Sequence, residues 1–87
     1  MERGRFRPAP TKHFLREFKK LPVDIRGRVL LAIQEVISNP YAGVRLGGEL
    51  SGLLRGRIGD YRIIYKIDEK KVLVVLIDVG PRKSVYR

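Results

Sequence analysis

The chain has no cysteine in its 87 residues and a single histidine, His13. The first absence excludes disulfides and thiolate metal sites, and the second leaves no histidine cluster for zinc. No metal or other cofactor is therefore expected. There is also no apolar run of 18 residues and no signal-peptide core, so the expectation is a cytoplasmic protein with no membrane attachment. Repeats, linkers and low-complexity segments are missing too, and residues 1–87 read as one domain, near the lower size limit for a self-sufficient core.

Acidic residues are scarce. Nine Asp and Glu stand against 19 Lys and Arg, a net charge of +10 with a pI of about 10.6. Such an imbalance points to a polyanionic partner, most simply nucleic acid, bound through phosphate neutralisation and counterion release. An anionic membrane surface is the rival, but the one long amphipathic segment carries its apolar residues in a pattern expected of a core. Twelve of the cations are Arg and seven are Lys. Guanidinium groups favour planar, bidentate phosphate contacts.

The organising stretch is Gly52 to Tyr65, GLLRGRIGDYRIIY. Two runs rich in Ile, Leu and Tyr flank Gly59-Asp60, and glycine in first place suits a two-residue type II′ turn. That turn sets Ile58 against Tyr61, Arg57 against Arg62 and Arg55 against Ile64. Period-2 alternation then places Leu53, Arg55, Arg57, Arg62, Ile64 and Lys66 on one face, and Leu54, Gly56, Ile58, Tyr61, Ile63, Tyr65 and Ile67 on the other, the core side. Like charges directly opposite cost roughly 0.2–1 kcal/mol. Removing Arg57 or Arg62 is thus expected to leave the fold intact or slightly more stable, and a bound phosphate would make the pair favourable. The alternative reading of this face is a solvated outer surface.

Upstream, Met1 to Pro10 allows at most a short edge strand over Arg3 to Arg7, because of Pro8 and Pro10. Thr11 is an N-cap, and Phe14, Leu15, Phe18 and Leu21 form one face of a short helix that Pro22 stops. A second helix carries Ile25, Val29, Ile33, Val36 and Ile37, with Asp24 near its positive end, and finishes at Ser38-Asn39-Pro40. Gly27 inside it signals either close packing by the first helix or simple tolerance. Residues 41–51 read as a loop. After the hairpin, Asp68 to Lys71 is a polar turn and Val72 to Val79 a strand apolar on both faces, which implies cover on both sides. A simple register puts Leu73, Val75 and Ile77 beside Ile64 on the cationic face, an apolar floor that a partner should cover. The same register sends Asp78 into the core unless a bulge intervenes, so it holds only as far as Ile77. The fold class is α+β, in the order β-α-α-β-β-β, a small antiparallel sheet against an N-terminal helical hairpin.

Three segments carry a family resemblance: KKLP at Lys19 to Pro22, the block LGGELSGLLRGRIGDYRIIY from Leu46 to Tyr65, and VGPRKSVYR from Val79 to Arg87. In this order and spacing the chain resembles the RelE/ParE superfamily of type II toxin–antitoxin toxins, RelE-like in its basic positions, with a microbial-RNase-type fold. The resemblance implies a ribosome-dependent endonuclease that cleaves mRNA in the A site, or, as in ParE-like members, an inhibitor of DNA gyrase. A degenerate toxin that only binds antitoxin or nucleic acid is the third alternative, favoured by Pro81, where many relatives have His. On the RelE pattern the matching positions are Arg55, Arg57, Arg62, Arg82 and Tyr86. The resemblance assigns Arg62, Arg82 and Tyr86 to catalysis; Arg55 and Arg57, with Lys66 and Lys83 added from the charge pattern, contact phosphate. The partners it implies are mRNA on the ribosome and a RelB-like antitoxin, acidic and partly disordered, laid on Leu53, Ile64, Leu73, Val75 and Ile77. His13 is expected to have a surface or packing role on the first helix.

Overall fold

A computed structural model describes residues 5–81, and the positions Arg82, Lys83 and Tyr86 lie outside the described residues. Strand β1 (Arg7–Pro10) leads into helices α1 (Lys12–Lys19) and α2 (Val23–Ser38). After them come the two-residue strand β2 (Val44–Arg45) and the strands β3 (Leu54–Ile58), β4 (Tyr61–Asp68) and β5 (Leu73–Pro81). The sheet order is β1-β5-β4-β3-β2.

Each helix boundary has a local cause. The Thr11 hydroxyl accepts a hydrogen bond from the Phe14 N–H at 3.1 Å, satisfying one of the donors left over at the start of α1. Pro22 occupies the N-cap of α2 and Asp24 its first turn, where a carboxylate meets the positive end of the helix. One face of the helical hairpin buries Phe14, Leu21, Ile25, Val29 and Ile33 against Leu54, Ile58, Ile63, Tyr65, Val74, Leu76 and Val79 of the sheet. Leu15, which the apolar spacing assigns to the same face, is 43 % exposed. It lies on a shallow groove with Pro8, Pro10, Phe18 and Leu30.

The hairpin register is as the Gly59-Asp60 turn dictates. Leu54 pairs with Tyr65, Arg55 with Ile64, Gly56 with Ile63, Arg57 with Arg62 and Ile58 with Tyr61. Gly59 has φ +56°, the left-handed value that the first position of a type II′ turn demands. Between β4 and β5 the pairing shifts: Ile64 faces Asp78 but Tyr65 faces Leu76, so Ile77 is an extra residue. This bulge takes Asp78 off the core side and lets Val79 return to it.

Three features depart from the sequence expectation. The sheet is mixed, because β1 runs parallel to β5 while every other pair is antiparallel. Parallel neighbours need a long connection, and here the helical hairpin and three strands supply it. The edge strand starts later than Arg3 to Arg7 and contains both prolines. Its backbone phase explains why: Arg7 N–H donates to the Val72 carbonyl at 3.1 Å and Thr11 N–H to Leu76 at 3.0 Å. Odd-numbered donors therefore point at β5, and Pro8 and Pro10 fall where no donor is needed. Finally, residues 41–51 are not all loop, since Val44 and Arg45 pair with Arg55 and Leu54.

Tyr65 pins this added strand from below. Its hydroxyl donates to the Pro40 carbonyl at 2.8 Å. Burial raises the phenol above its usual 10.0, a hydrogen bond from the Gly43 backbone pulls the other way, and the group stays a neutral donor. Next to Pro40, the Tyr41 hydroxyl donates to Glu69 at 2.7 Å, and Phe6 meets the Tyr41 ring edge-on at 6.1 Å.

Two glycines give opposite predictions. A methyl on Gly43 would run into the Tyr65 hydroxyl and lie 3.1 Å from the Arg55 carbonyl oxygen. Gly43→Ala should therefore destabilise by about 1–3 kcal/mol, as overpacking does. At Gly27 nothing lies within 4 Å, which settles in favour of tolerance. Gly27→Ala should stabilise by about 1 kcal/mol, the helix-propensity difference. Urea denaturation of both variants checks this, and equal midpoints would refute it.

Candidate nucleic-acid interface

The sheet face turned away from the helices carries the cations. Along β4 the alternation gives Arg62, Ile64 and Lys66, and beside it on β3 stand Arg57 and Arg55. Successive members on one strand are about 7 Å apart, and neighbouring strands about 4.8 Å. Arg57 and Arg62 are direct register partners, so two guanidinium groups rise from the same rung.

Their environments differ. Arg57 and Lys66 are exposed and Arg55 is half-buried, whereas Arg62 is only 8 % exposed, the one charged residue in the buried class among the described residues. Its register partner on β5 is Gly80, whose missing side chain leaves room beside the Arg62 stem. The sequence reading expects the same effect on stability from removing either arginine; burial separates them. The apolar floor is likewise less bare than expected. Ile64 is 1 % exposed yet stands outside the helix-facing core cluster, so the chain already covers it and it offers a partner no surface. Leu53, Leu73, Val75 and Ile77 are half-buried.

Where β3 meets α2, the edge of the face turns into an open cleft lined by Glu35, Val36, Asn39, Val44, Arg55 and Arg57. No residue pattern signals it, because the cleft depends on β2 covering only the first two residues of the β3 edge. At the opposite edge, His13 Nε2 lies 3.0 Å from Asp78 Oδ1, and this contact was also missed. It depends on the bulge at Ile77, which the sequence hints at through Asp78 but does not locate. Among the described residues no three of His, Asp and Glu gather as a metal site, and no helix is long and apolar enough to cross a membrane.

The difference in burial revises the expected mutational response. Arg57→Ala removes an exposed charge facing another and should raise stability by up to about 1 kcal/mol. Arg62→Ala empties a buried position and should lower it, by about 1–3 kcal/mol, despite relieving the same repulsion. Thermal melts of the two variants should move in opposite directions; a rise in both would mean that Arg62 contributes no packing.

Comparison with known proteins agrees with the geometry. Residues 9–86 match the family model described as the ParE toxin of the type II toxin–antitoxin system parDE. Toxin RelG of Mycobacterium tuberculosis is 35 % identical over 74 residues, 83 % of this chain and 85 % of that protein. Toxin RelE of the same organism is 33 % identical over 81 residues, 91 % of this chain and 84 % of that protein. Among solved structures, the toxin–antitoxin complex RelBE2 of M. tuberculosis matches with TM-score 0.83 and 32 % identity, covering 88 % of this chain and 91 % of the other. The isolated Escherichia coli RelE toxin matches with TM-score 0.75 and 25 % identity, covering 87 % and 83 %. With a mixed five-stranded sheet, a helical hairpin and relatives of this kind, the chain belongs to the RelE/ParE family and is a toxin of a RelBE-type toxin–antitoxin system.

Proposed function

We propose that this toxin is a ribosome-dependent mRNA endonuclease that cuts in the A site without a metal. The observation that carries the reading is the cluster Arg55, Arg57 and Arg62 with Lys66 on one face of the β3–β4 hairpin, joined to similarity with toxins named RelE and RelG. Metal-free cleavage uses the substrate's 2′-hydroxyl as nucleophile on the adjacent phosphorus, leaving a 2′,3′-cyclic phosphate and a 5′-hydroxyl. The protein then has to stabilise the phosphorane's extra charge and manage two protons. Arg55 and Arg57 hold phosphate oxygens as forked donors, with Lys66 and Lys83 on flanking phosphates. Arg62 stabilises the transition state from a buried position, where the lower dielectric makes its charge more effective. Following the family pattern, Arg82 serves the leaving group and Tyr86 stacks on a base and contacts the 2′-hydroxyl. Arginine is a poor proton donor with a pKa above about 12, so the intrinsic rate is slow and positioning on the ribosome makes up much of the deficit.

The antitoxin is a RelB-type chain, as the M. tuberculosis relative was solved in a toxin–antitoxin complex, and the segment that silences this toxin is acidic and partly disordered when free. It lays apolar side chains on Leu53, Leu73, Val75 and Ile77 and carboxylates beside Arg57 and Arg62. Ile64, buried in the free chain, drops out of that surface. Gyrase inhibition is the second reading, favoured by the family model's description as a ParE toxin.

Purified toxin on programmed ribosomes should give A-site cuts ending in cyclic phosphate and insensitive to EDTA, and Arg62→Ala should slow them by about 10²–10³-fold. Intact mRNA, together with inhibition of supercoiling that survives Arg82→Ala and Tyr86→Phe, would establish the gyrase reading instead.

A further inference from the structure

Among the described residues, the cationic face contains no side chain suited to proton transfer near neutral pH, yet one stands at its rim. Thr11 is tied to β5 twice, by its N–H to the Leu76 carbonyl at 3.0 Å and by its hydroxyl to the Ile77 carbonyl at 3.3 Å. That anchors the first turn of α1 on the bulge. Two residues later, His13 Nε2 meets Asp78 Oδ1 at 3.0 Å. Asp78 is the register partner of Ile64, the residue between Arg62 and Lys66 in the cationic row. Asp78 therefore stands one strand from the middle of that row, at a β5 edge that β1 covers only as far as Leu76, and His13 reaches it from α1 beyond that edge.

The contact also determines the tautomer. A carboxylate only accepts, so in the neutral ring Nε2 carries the proton and Nδ1 is left as the acceptor. The ring is 53 % exposed and Asp78 17 %, an arrangement in which the carboxylate is held and the imidazole faces solvent. Asp78 Oδ1 is itself fixed by the Val79 N–H at 2.8 Å. Imidazole is the side chain whose charge ordinarily changes between about pH 5 and 8.

We propose that His13 is the general base of this toxin, with Asp78 as its positioning residue. The proposal rests on the ribonuclease reading. Neutral His13 takes the 2′-hydroxyl proton on Nδ1 as the 2′-oxygen bonds to phosphorus. The bond from phosphorus to the 5′-oxygen breaks, that oxygen takes a proton from solvent water, and the imidazolium returns its proton to solvent. The sum is a transesterification with no net proton consumed. General-base catalysis of this kind should give cleavage that rises with pH. Among the described residues, the charged groups next to His13 by contact or helical spacing are Asp78 from β5 and Lys12, Arg16 and Glu17 on α1 itself; Arg7 on β1 pairs with Leu73, well away from Asp78, and α2 adds only Leu30, Ile33 and Gln34 to the groove it shares with α1.

The test is single-turnover cleavage on programmed ribosomes across pH, for the wild-type toxin, His13→Ala and Asp78→Asn, with melting temperatures alongside. His13→Ala should cut at least about 10²-fold more slowly and lose the rising limb, and added imidazole should restore part of the rate. Asp78→Asn, whose amide can donate to Nε2 and favour the opposite tautomer, should also slow cleavage while retaining the limb. Rescue by imidazole separates proton transfer from a structural tie, which free imidazole cannot replace, even if the variant is less stable. An unchanged rate and profile in His13→Ala, or a loss that imidazole does not repair, overturns the proposal while leaving the ribonuclease reading intact. Failure of the wild type to cut removes both.

Discussion

A slip of one residue between β3 and β4 would turn one strand over against the other, carrying its arginines toward the helices and its core side chains into water. The two-residue turn at Gly59-Asp60 prevents it, because only one register is compatible with a type II′ turn closing at Ile58 and Tyr61. The rest of the molecule follows from that choice. Ile63 and Tyr65 become the centre of the core, α1 and α2 cover them, and the opposite face is left to Arg55, Arg57, Arg62 and Lys66. The charge that defines the toxin's surface and the apolar contacts that hold the fold together are thus two sides of one strand pair.

Repulsion across the Arg57–Arg62 rung is tolerable because it is small beside the burial on the other face. A cross-strand like-charge pair costs at most about 1 kcal/mol, whereas each large apolar side chain buried contributes about 1.5–3 kcal/mol. The hairpin's core face buries Leu54, Ile58, Ile63 and Tyr65. Holding Arg62 largely out of water adds to the cost. On the proposed reading, phosphate or an acidic protein segment brings negative charge to this rung and offsets the repulsion.

Local signals were legible wherever a residue type has one conformational use. Thr11 as a cap, Pro22 as a break and Gly59 at a positive φ stood out because each acts on its nearest neighbours, and the two helical apolar faces followed from simple periodicity. Long-range features were not. The bulge in β5 was signalled only by Asp78, which a simple register would have buried; in a strand apolar on both faces alternation gives no phase, so neither its place at Ile77 nor the contact of Asp78 with His13 could be read. The parallel pairing of β1 and the short strand at Val44 depend on what the sheet edges find nearby. Likewise, the burial of Arg62 and Ile64 is a property of the outer face as folded, which alternation of residue types cannot report.

The central claim is that the hairpin face gathers its cations to hold consecutive phosphates. The most direct measurement is the salt dependence of binding to a short single-stranded RNA blocked against cleavage by 2′-O-methylation. For single strands, log K falls against log salt with a slope of about −0.7 per phosphate neutralised. Arg55→Ala and Arg57→Ala should each flatten the slope by about 0.7, and the double variant by about twice that. A slope unchanged in the double variant would mean that the phosphates lie elsewhere on the protein.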